Sequence, residues 1–252
     1  MKRKPLFQLI KSRNPDETEK DLYSKILCGE VRVDGGIVRD PKISVRMDAE
    51  IRITGRKFVS RGGEKLEHAL SSFNIDVKNK VFIDAGCSTG GFSHCLLLRG
   101  AESVYSVDVG YNQLDYSLRN DPRIVVQEKT NIMDVGVLSP LPHAAVADLS
   151  FRSIQGAASH LLSITSEKWL VALIKPQFEW QNPPDSFKGI VSDKDNLISI
   201  ITNVVNGLAG EGVFPLKVTD SPIPGRKGNR EYLFLLGLDP GLKVSNVIET
   251  LF

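Results

Sequence analysis

The sequence is poor in cysteine. Its three cysteines, Cys28, Cys87 and Cys95, lie far apart and form no Cys-x-x-Cys pair. A disulfide framework and a cysteine-based zinc site are therefore not indicated, and the usage fits a reducing compartment. The expected location is the cytoplasm, and no metal is expected. Long apolar runs are missing as well. No stretch approaches the roughly 18–20 apolar residues of a membrane span. In MKRKPLFQLIKSR the apolar run is too short for a secretory signal. No membrane partner is expected on these grounds. Internal repeats and low-complexity tracts are also lacking. What remains is a chain of 252 residues, long enough for a full core and a small second domain.

Strong net charge is absent too, but the formal +2 hides an uneven distribution. Through Lys57 there are 14 Lys and Arg against 9 Asp and Glu, a net of +5; from Phe58 onward there are 18 against 21, a net of −3. A basic front on a slightly acidic, enzyme-sized body suggests a nucleic-acid-binding appendage. Residues 1–53 read as that unit. Helical spacing runs from Asp21 to Leu27 and stops at Cys28-Gly29. The run VRVDGGIV then reads as strand, tight Asp-Gly turn and strand, and EIRI as a further strand. Lys25, Arg32 and Arg39 are among its basic residues. Polar, glycine-rich residues 54–63 read as a linker, and residues 64–252 as the second domain. That domain opens with a helix near Lys65, Leu66, Ala69 and Leu70.

From Val81 the pattern alternates. Strands are expected near 81–84, 103–107, 124–126, 144–147, 169–174, 213–218 and 232–237. Helices are expected near 91–99, 113–119, 153–164, 194–208 and 243–251. This is the pattern of an α/β, doubly wound, Rossmann-like sheet. Only a turn-rich loop, SPIPGRKGNR, separates the last two strands, so they are expected to be antiparallel neighbours. A parallel sheet closed by an antiparallel pair is the usual architecture of S-adenosylmethionine methyltransferases.

The segment DAGCSTGGF lies between the first strand and first helix of that sheet. Its Asp84, Gly86, Ser88, Gly90, Gly91 and Phe92 are candidate cofactor residues, since glycines let a backbone approach a ligand beside free helix N–H groups. A dinucleotide fingerprint needs G-x-G-x-x-G. The spacing here is D-x-G-x-x-x-G, which is nearer to a methyltransferase loop, although dehydrogenases and other α/β proteins stay open on the loop alone. Asp108 ends the next strand, where a carboxylate can accept the ribose hydroxyls of an adenosine. Asp148 and Lys175 follow neighbouring strands, and Glu231 opens the final antiparallel one. All three should converge on one rim, and Lys65 could join them.

The set Lys65, Asp148, Lys175 and Glu231 resembles the Lys-Asp-Lys-Glu tetrad of FtsJ-type ribose 2′-O-methyltransferases. Longer pieces, VSRGGEKLEHAL, DAGCSTGGFSHCLL, ADLSF, LIKPQFE, KGIVSD and SPIPGRKGNREYLF, are similar in order to the TlyA (haemolysin A) family of ribosomal RNA methyltransferases. Ala85 and Cys87 stand where that family often has Ile and Ala. Residues 21–53 resemble the S-four-type RNA-binding domain in the pattern G-x-V-x-V-(N/D)-G, with KPLFQLI in place of its usual opening. The resemblance implies S-adenosyl-L-methionine as methyl donor and ribosomal RNA or ribosomal subunits as substrate. It implies catalytic roles for Lys65, Asp148 (which could also contact the donor), Lys175 and Glu231, and methylation of a cytidine ribose. Lys175 is then the candidate base, since a ribose hydroxyl must lose a proton as it attacks. Asp148 would orient it, and Glu231 would hold Lys65 or the ribose. Arg61, Arg226, Lys227 and Arg230 could guide the phosphate backbone, and residues 177–192 read as a mobile lid. Three readings compete: methylation of a base amine, which would not need Lys175; a membrane-acting haemolysin; and a binding-only protein with an inactive sheet. A pyrimidine C5 enzyme would need a cysteine near Asp148, and none is there.

Overall fold

The computed structural model describes residues 2–27, 29–53, 55 and 57–252. Cys28, and Thr54 and Arg56 of the expected linker, lie outside the described residues. The chain divides into two compact units, 1–57 and 58–252. No helix among the described residues is long and apolar enough to cross a membrane.

In the first unit, strand β1 (Arg3–Pro5) leads into helix α1 (Leu6–Arg13), and α2 spans Glu19–Leu27. Strands β2 (Val31–Val33), β3 (Gly36–Val38), β4 (Ser44–Arg46) and β5 (Ile51–Ile53) follow. The expected hairpin forms: Val33 pairs with Gly36 across Asp34-Gly35, whose φ angles of 48° and 85° are those of a primed turn. The sheet order is β3-β2-β5, and β4 pairs instead with β1. The opening residues, which carried no clear pattern, thus supply a strand and a helix. Leu6 and Ile10 of α1 are fully buried with Leu22 and Ile26 of α2 and with Val31. Eight residues expose too few periods for a helix to be read from spacing, so α1 is held by this tertiary contact.

The second unit begins earlier than residue 64. Helix α3 runs Gly62–Phe73, and Phe58 is buried in the same cluster as Leu66 and Leu70. Residues 58–63 therefore belong to the second unit's core rather than to a linker. Seven strands follow: β6 (Val81–Ala85), β7 (Ser103–Val107), β8 (Ile124–Gln127), β9 (Ala144–Ala147), β10 (Trp169–Ile174), β11 (Phe214–Asp220) and β12 (Tyr232–Gly237). They form one doubly wound, Rossmann-like sheet in the order β11-β12-β10-β9-β6-β7-β8. Only β12 runs against its neighbours, pairing antiparallel with both β10 and β11.

The helices are α4 (Gly91–Leu98), α5 (Tyr116–Arg119), α6 (Ala157–Ser163), α7 (Pro176–Glu179), α8 (Lys194–Gly210) and α9 (Val244–Leu251). Two are shorter than their sequence pattern. The helix expected over 113–119 starts only at Tyr116, because Asp115 caps it by accepting the Ser117 N–H at 2.9 Å. The helix expected over 153–164 starts at Ala157, after Gly156 at φ 75°. Short, near-continuous apolar strands such as Ala144–Ala147 are buried on both faces. The strand order reverses between β6 and β9. In such a sheet the ligand crevice opens there, beyond the carboxyl ends of the strands.

Candidate active site

Gly86 follows β6 at φ 79°, and a side chain there would meet the Asp148 carbonyl oxygen at 2.7 Å. Only glycine lets the two loops approach this closely, which keeps the crevice open at the switch point. A cavity of about 430 Å³ lies there, lined by Gly86, Ser88, Asp108, Gly110, Gln113, Asn131 and Asp148 among others. Asp108 is fixed at its mouth, because its carboxylate accepts the Ser88 N–H at 2.8 Å and the Gly110 N–H at 2.7 Å. Each oxygen keeps a further lone pair for a ribose hydroxyl. Ser88, at φ 47°, offers its hydroxyl to Gln113.

Asp84 does not line this cavity. It is fully buried, and one oxygen accepts both the Ser93 N–H at 2.9 Å and the Ser93 hydroxyl at 2.6 Å. Its other oxygen has no partner among the described residues. Burial, with Asp148 and Asp108 nearby, pushes its carboxyl up to about 7 against the pull of Ser93. At the mouth of the cavity it is Asp108, with a lone pair left on each oxygen, that suits the ribose hydroxyls of an adenosine, so the residues lining this cavity fit S-adenosylmethionine.

Three other residues of the turn serve packing. Gly90, at φ 90°, faces Leu114 and Leu118. Gly91 lets α4 approach α3, since a side chain there would stand 2.9 Å from the Gly63 nitrogen. Phe92 is buried in the cluster with Phe58 and Leu66. These three were expected to face the ligand; their contacts here are with Leu114 and Leu118, with Gly63 of α3, and with Phe58 and Leu66. Cys87 is a buried core residue too, its thiol pushed up by burial and by Asp84 and Asp108.

A second cavity, of about 590 Å³, is lined by Arg61, Lys65, Ser150, Phe151, Lys175, Phe178, Arg226, Lys227 and Glu231 among others. Lys65, expected from sequence to join the charged rim, is buried on α3 and ion-paired with buried Glu231. Lys175 follows β10, and its Nζ lies 2.6 Å from Asp148 Oδ1. That contact lacks hydrogen-bond geometry, since the same oxygen counts as unpartnered. The aligned bond of Nζ is to Ser150 Oγ at 2.9 Å. Asp148 lines the first cavity and touches Lys175, which lines the second. Ser150 and Phe151 line both. The segment 148–151 is thus the wall between two chambers; the Lys175–Asp148 pair stands at it, and the Lys65–Glu231 pair lines the second chamber.

Sequence reasoning missed Phe151 as a site residue. It is 89% exposed and sits at φ 61°, a conformation rare for a bulky residue, with its ring centroid 5.1 Å from that of Phe178. A phenylalanine inside a strand-end motif reads as core, so spacing carried no signal. Gln113, Asn131 and Ser150 were missed because polar loop residues have no period.

The basic residues separate into groups. Arg61, Arg226 and Lys227 line the second cavity. Arg230 does not: it reaches Asp220 at 2.9 Å and lies over the rings of Tyr232 and Phe252. In the first unit, Arg32 and Arg39 are exposed, whereas Lys25 is ion-paired with Glu17. Residues 177–192, expected as a mobile lid, make one aromatic contact of their own and are bonded to Asn229 at their C-terminal end. Trp180 packs edge-on against Phe187, and Asn229 accepts the Val191 N–H at 2.9 Å and donates to the Gly189 carbonyl at 2.8 Å. Among the described residues no cluster of His, Cys, Asp and Glu could hold a metal ion.

Comparison with known proteins bears on this geometry. A family model described as FtsJ-like methyltransferase matches residues 58–238. Hemolysin A of Brachyspira hyodysenteriae is 39% identical over 233 residues, covering 90% of this chain and 97% of that protein. The 16S/23S rRNA (cytidine-2′-O)-methyltransferase TlyA of Mycobacterium tuberculosis is 38% identical over 215 residues, 83% of this chain and 80% of that protein. A solved protein of Streptococcus thermophilus, described as a hemolysin, matches with a TM-score of 0.73 at 31% identity, covering 99% of this chain and 95% of that one.

Proposed function

The chain belongs to the TlyA (haemolysin A) family of FtsJ-like, S-adenosylmethionine-dependent methyltransferases, and from that premise we propose that it methylates the ribose 2′-hydroxyl of cytidine in ribosomal RNA, in the cytoplasm. The observation that carries the reading is the wall at 148–151, with a donor chamber on one side, a basic acceptor chamber on the other, and Lys175 held at the boundary by Asp148 and Ser150.

When bound, S-adenosylmethionine supplies an electrophilic methyl group on a sulfonium. Asp108 orients the adenosine ribose, and Gly86 admits the donor close to the Asp148 backbone. In the acceptor chamber, Lys175 Nζ in its uncharged form takes the proton of the attacking 2′-hydroxyl. The bound donor would give up its methyl group from the sulfonium to the 2′-oxygen, and the hydroxyl proton would end on Lys175. Asp148 then stabilises the ammonium at a contact of 2.6 Å. The Lys65–Glu231 pair, buried on α3 and just ahead of β12 and lining the same chamber, fixes the position of the ribose. Holding a weak nucleophile in line with its electrophile supplies most of the acceleration.

The exposed Phe151 ring, braced by Phe178, gives the cytosine a surface on which to stack once it leaves its helix. Arg61, Arg226 and Lys227 hold flanking phosphates. The first unit is an S-four-type RNA-binding domain that selects structured RNA through Arg32 and Arg39. The reading is tested by incubating the protein with tritium-labelled S-adenosylmethionine and ribosomal subunits, then mapping the label. Label on a ribose 2′-oxygen supports it. Label on a base amine supports amine methylation instead. Lysis of erythrocytes without donor, kept after Lys175→Ala, would support a membrane-acting protein.

A further inference from the structure

Glu179 is buried at 6% exposure on α7, one turn beyond Lys175, and the mechanism above leaves it without a role. Among the described residues its carboxylate is not ion-paired with Lys, Arg or His; it is bound by the Ser153 hydroxyl and by the Ile154 N–H at 2.9 Å. Burial raises its carboxyl above the usual range against the pull of those two bonds. A buried, unpaired carboxylate is costly, and an apolar contact would join two loops at lower free energy. An apolar contact would not fix their register. The carboxylate does, because each oxygen takes a separate donor from residues 153–154.

The same two segments meet at two further points: Phe178 against Phe151, and Lys175 against Asp148 and Ser150. Both of those points are in the reaction chamber, and Glu179 is the anchor behind them. We propose that Glu179 is a positioning residue, which sets the Lys175 amine against Asp148 and Ser150 by fastening α7 to residues 153–154. The claim concerns the methyl transfer proposed above and rests on that reading.

The test uses the full chain. Glu179→Gln keeps the shape but leaves one carbonyl acceptor where two oxygens stood. Single-turnover methylation of ribosomal RNA should slow on the order of 10–100-fold, as expected for a catalytic group displaced by a fraction of an ångström. Affinity for S-adenosylmethionine should stay within about twofold, because the donor chamber is untouched. Melting temperature should change little, since removal of a buried charge offsets the donor left without its acceptor. Ser153→Ala, which removes one of the two donors, should give a smaller loss. Against the residual rate of Lys175→Ala, adding Glu179→Gln should cost nothing more, because Glu179 acts through Lys175. In parallel, the Lys175 side chain, followed by NMR after 13C-dimethylation, should titrate at a displaced midpoint in Glu179→Gln. The proposal is overturned by a wild-type rate and an unmoved Lys175 titration in that variant. It is equally overturned by a loss that persists in full on the Lys175→Ala background. If the wild-type protein transfers no methyl group to RNA, the functional reading fails, while the Lys175 titration still decides the role of Glu179.

Discussion

Asp84 was singled out from sequence as a ligand residue in the glycine-rich turn, but it acts from beneath that turn. Its carboxylate binds Ser93 at the start of α4, and the Ser93 hydroxyl reaches on to Ser106 of β7 at 2.7 Å. Residue spacing shows that an acid follows the strand; it does not show on which side of the backbone the acid falls. The side has a measurable consequence. The folded carboxyl titrates at about 7, far above its ordinary 3.8. A raised folded value means that the folded protein holds this proton more tightly than the unfolded chain. The stability it contributes is complete below about pH 4 and is lost as pH rises through about 7. Asp84→Asn has no such proton to lose. In the ligand-free protein its stability relative to wild type should therefore climb between pH 4 and 7, by up to about 1.4 kcal/mol per pH unit, and then level off. Urea titrations of both proteins across that range, read as a difference, check this and cancel the contributions of other groups.

At the scale of elements, the strands were the legible part. Val81–Ala85, Ser103–Val107, Ala144–Ala147 and Trp169–Ile174 are compact apolar blocks bounded by polar turns, so their places could be read directly. The antiparallel final pair was legible from the shortness of its link. Helix starts were less so, because they depend on caps and contacts that have no period: Asp115 at α5, Gly156 at α6, and the packing of Phe58 that draws α3 back to Gly62. The site was half legible. Charged residues at strand ends stood out, but the role of the glycines could not be divided between ligand and packing without knowing what lies opposite each. Gly86 faces the Asp148 backbone, whereas Gly91 faces the backbone of Gly62 and Gly63. Gly91→Ala should therefore push α4 from α3. The nearest obstruction, the Ser60 hydroxyl, can rotate away, but the Gly63 nitrogen at 2.9 Å and the Gly62 Cα at 3.1 Å are main chain and cannot, so the expected loss is about 1–3 kcal/mol in chemical denaturation. Unchanged stability would mean that the two helices tolerate a wider spacing than the structure gives them.

At the scale of the whole molecule, the charge division read from the sequence falls at the boundary between the two compact units, Lys57 and Phe58. The methyltransferase family model matches the second unit, and the proposal gives RNA affinity to the basic first one. Neutralising the exposed pair with Arg32→Ala and Arg39→Ala should weaken RNA binding across sequences. It should also lower the slope of log affinity against log salt by about 1–2, one phosphate contact for each arginine lost. Donor affinity, measured by calorimetry, should not change. The central assignment concerns Lys175, which stands where the two chambers meet. It is tested most directly by Lys175→Ala in single-turnover methylation of ribosomal RNA, with donor binding measured on the same sample. The expected result is a folded protein that binds S-adenosylmethionine as wild type does and transfers its methyl group to the ribose at least 100-fold more slowly, within the range for loss of a general base. Transfer at the wild-type rate by that folded, donor-binding variant would contradict it.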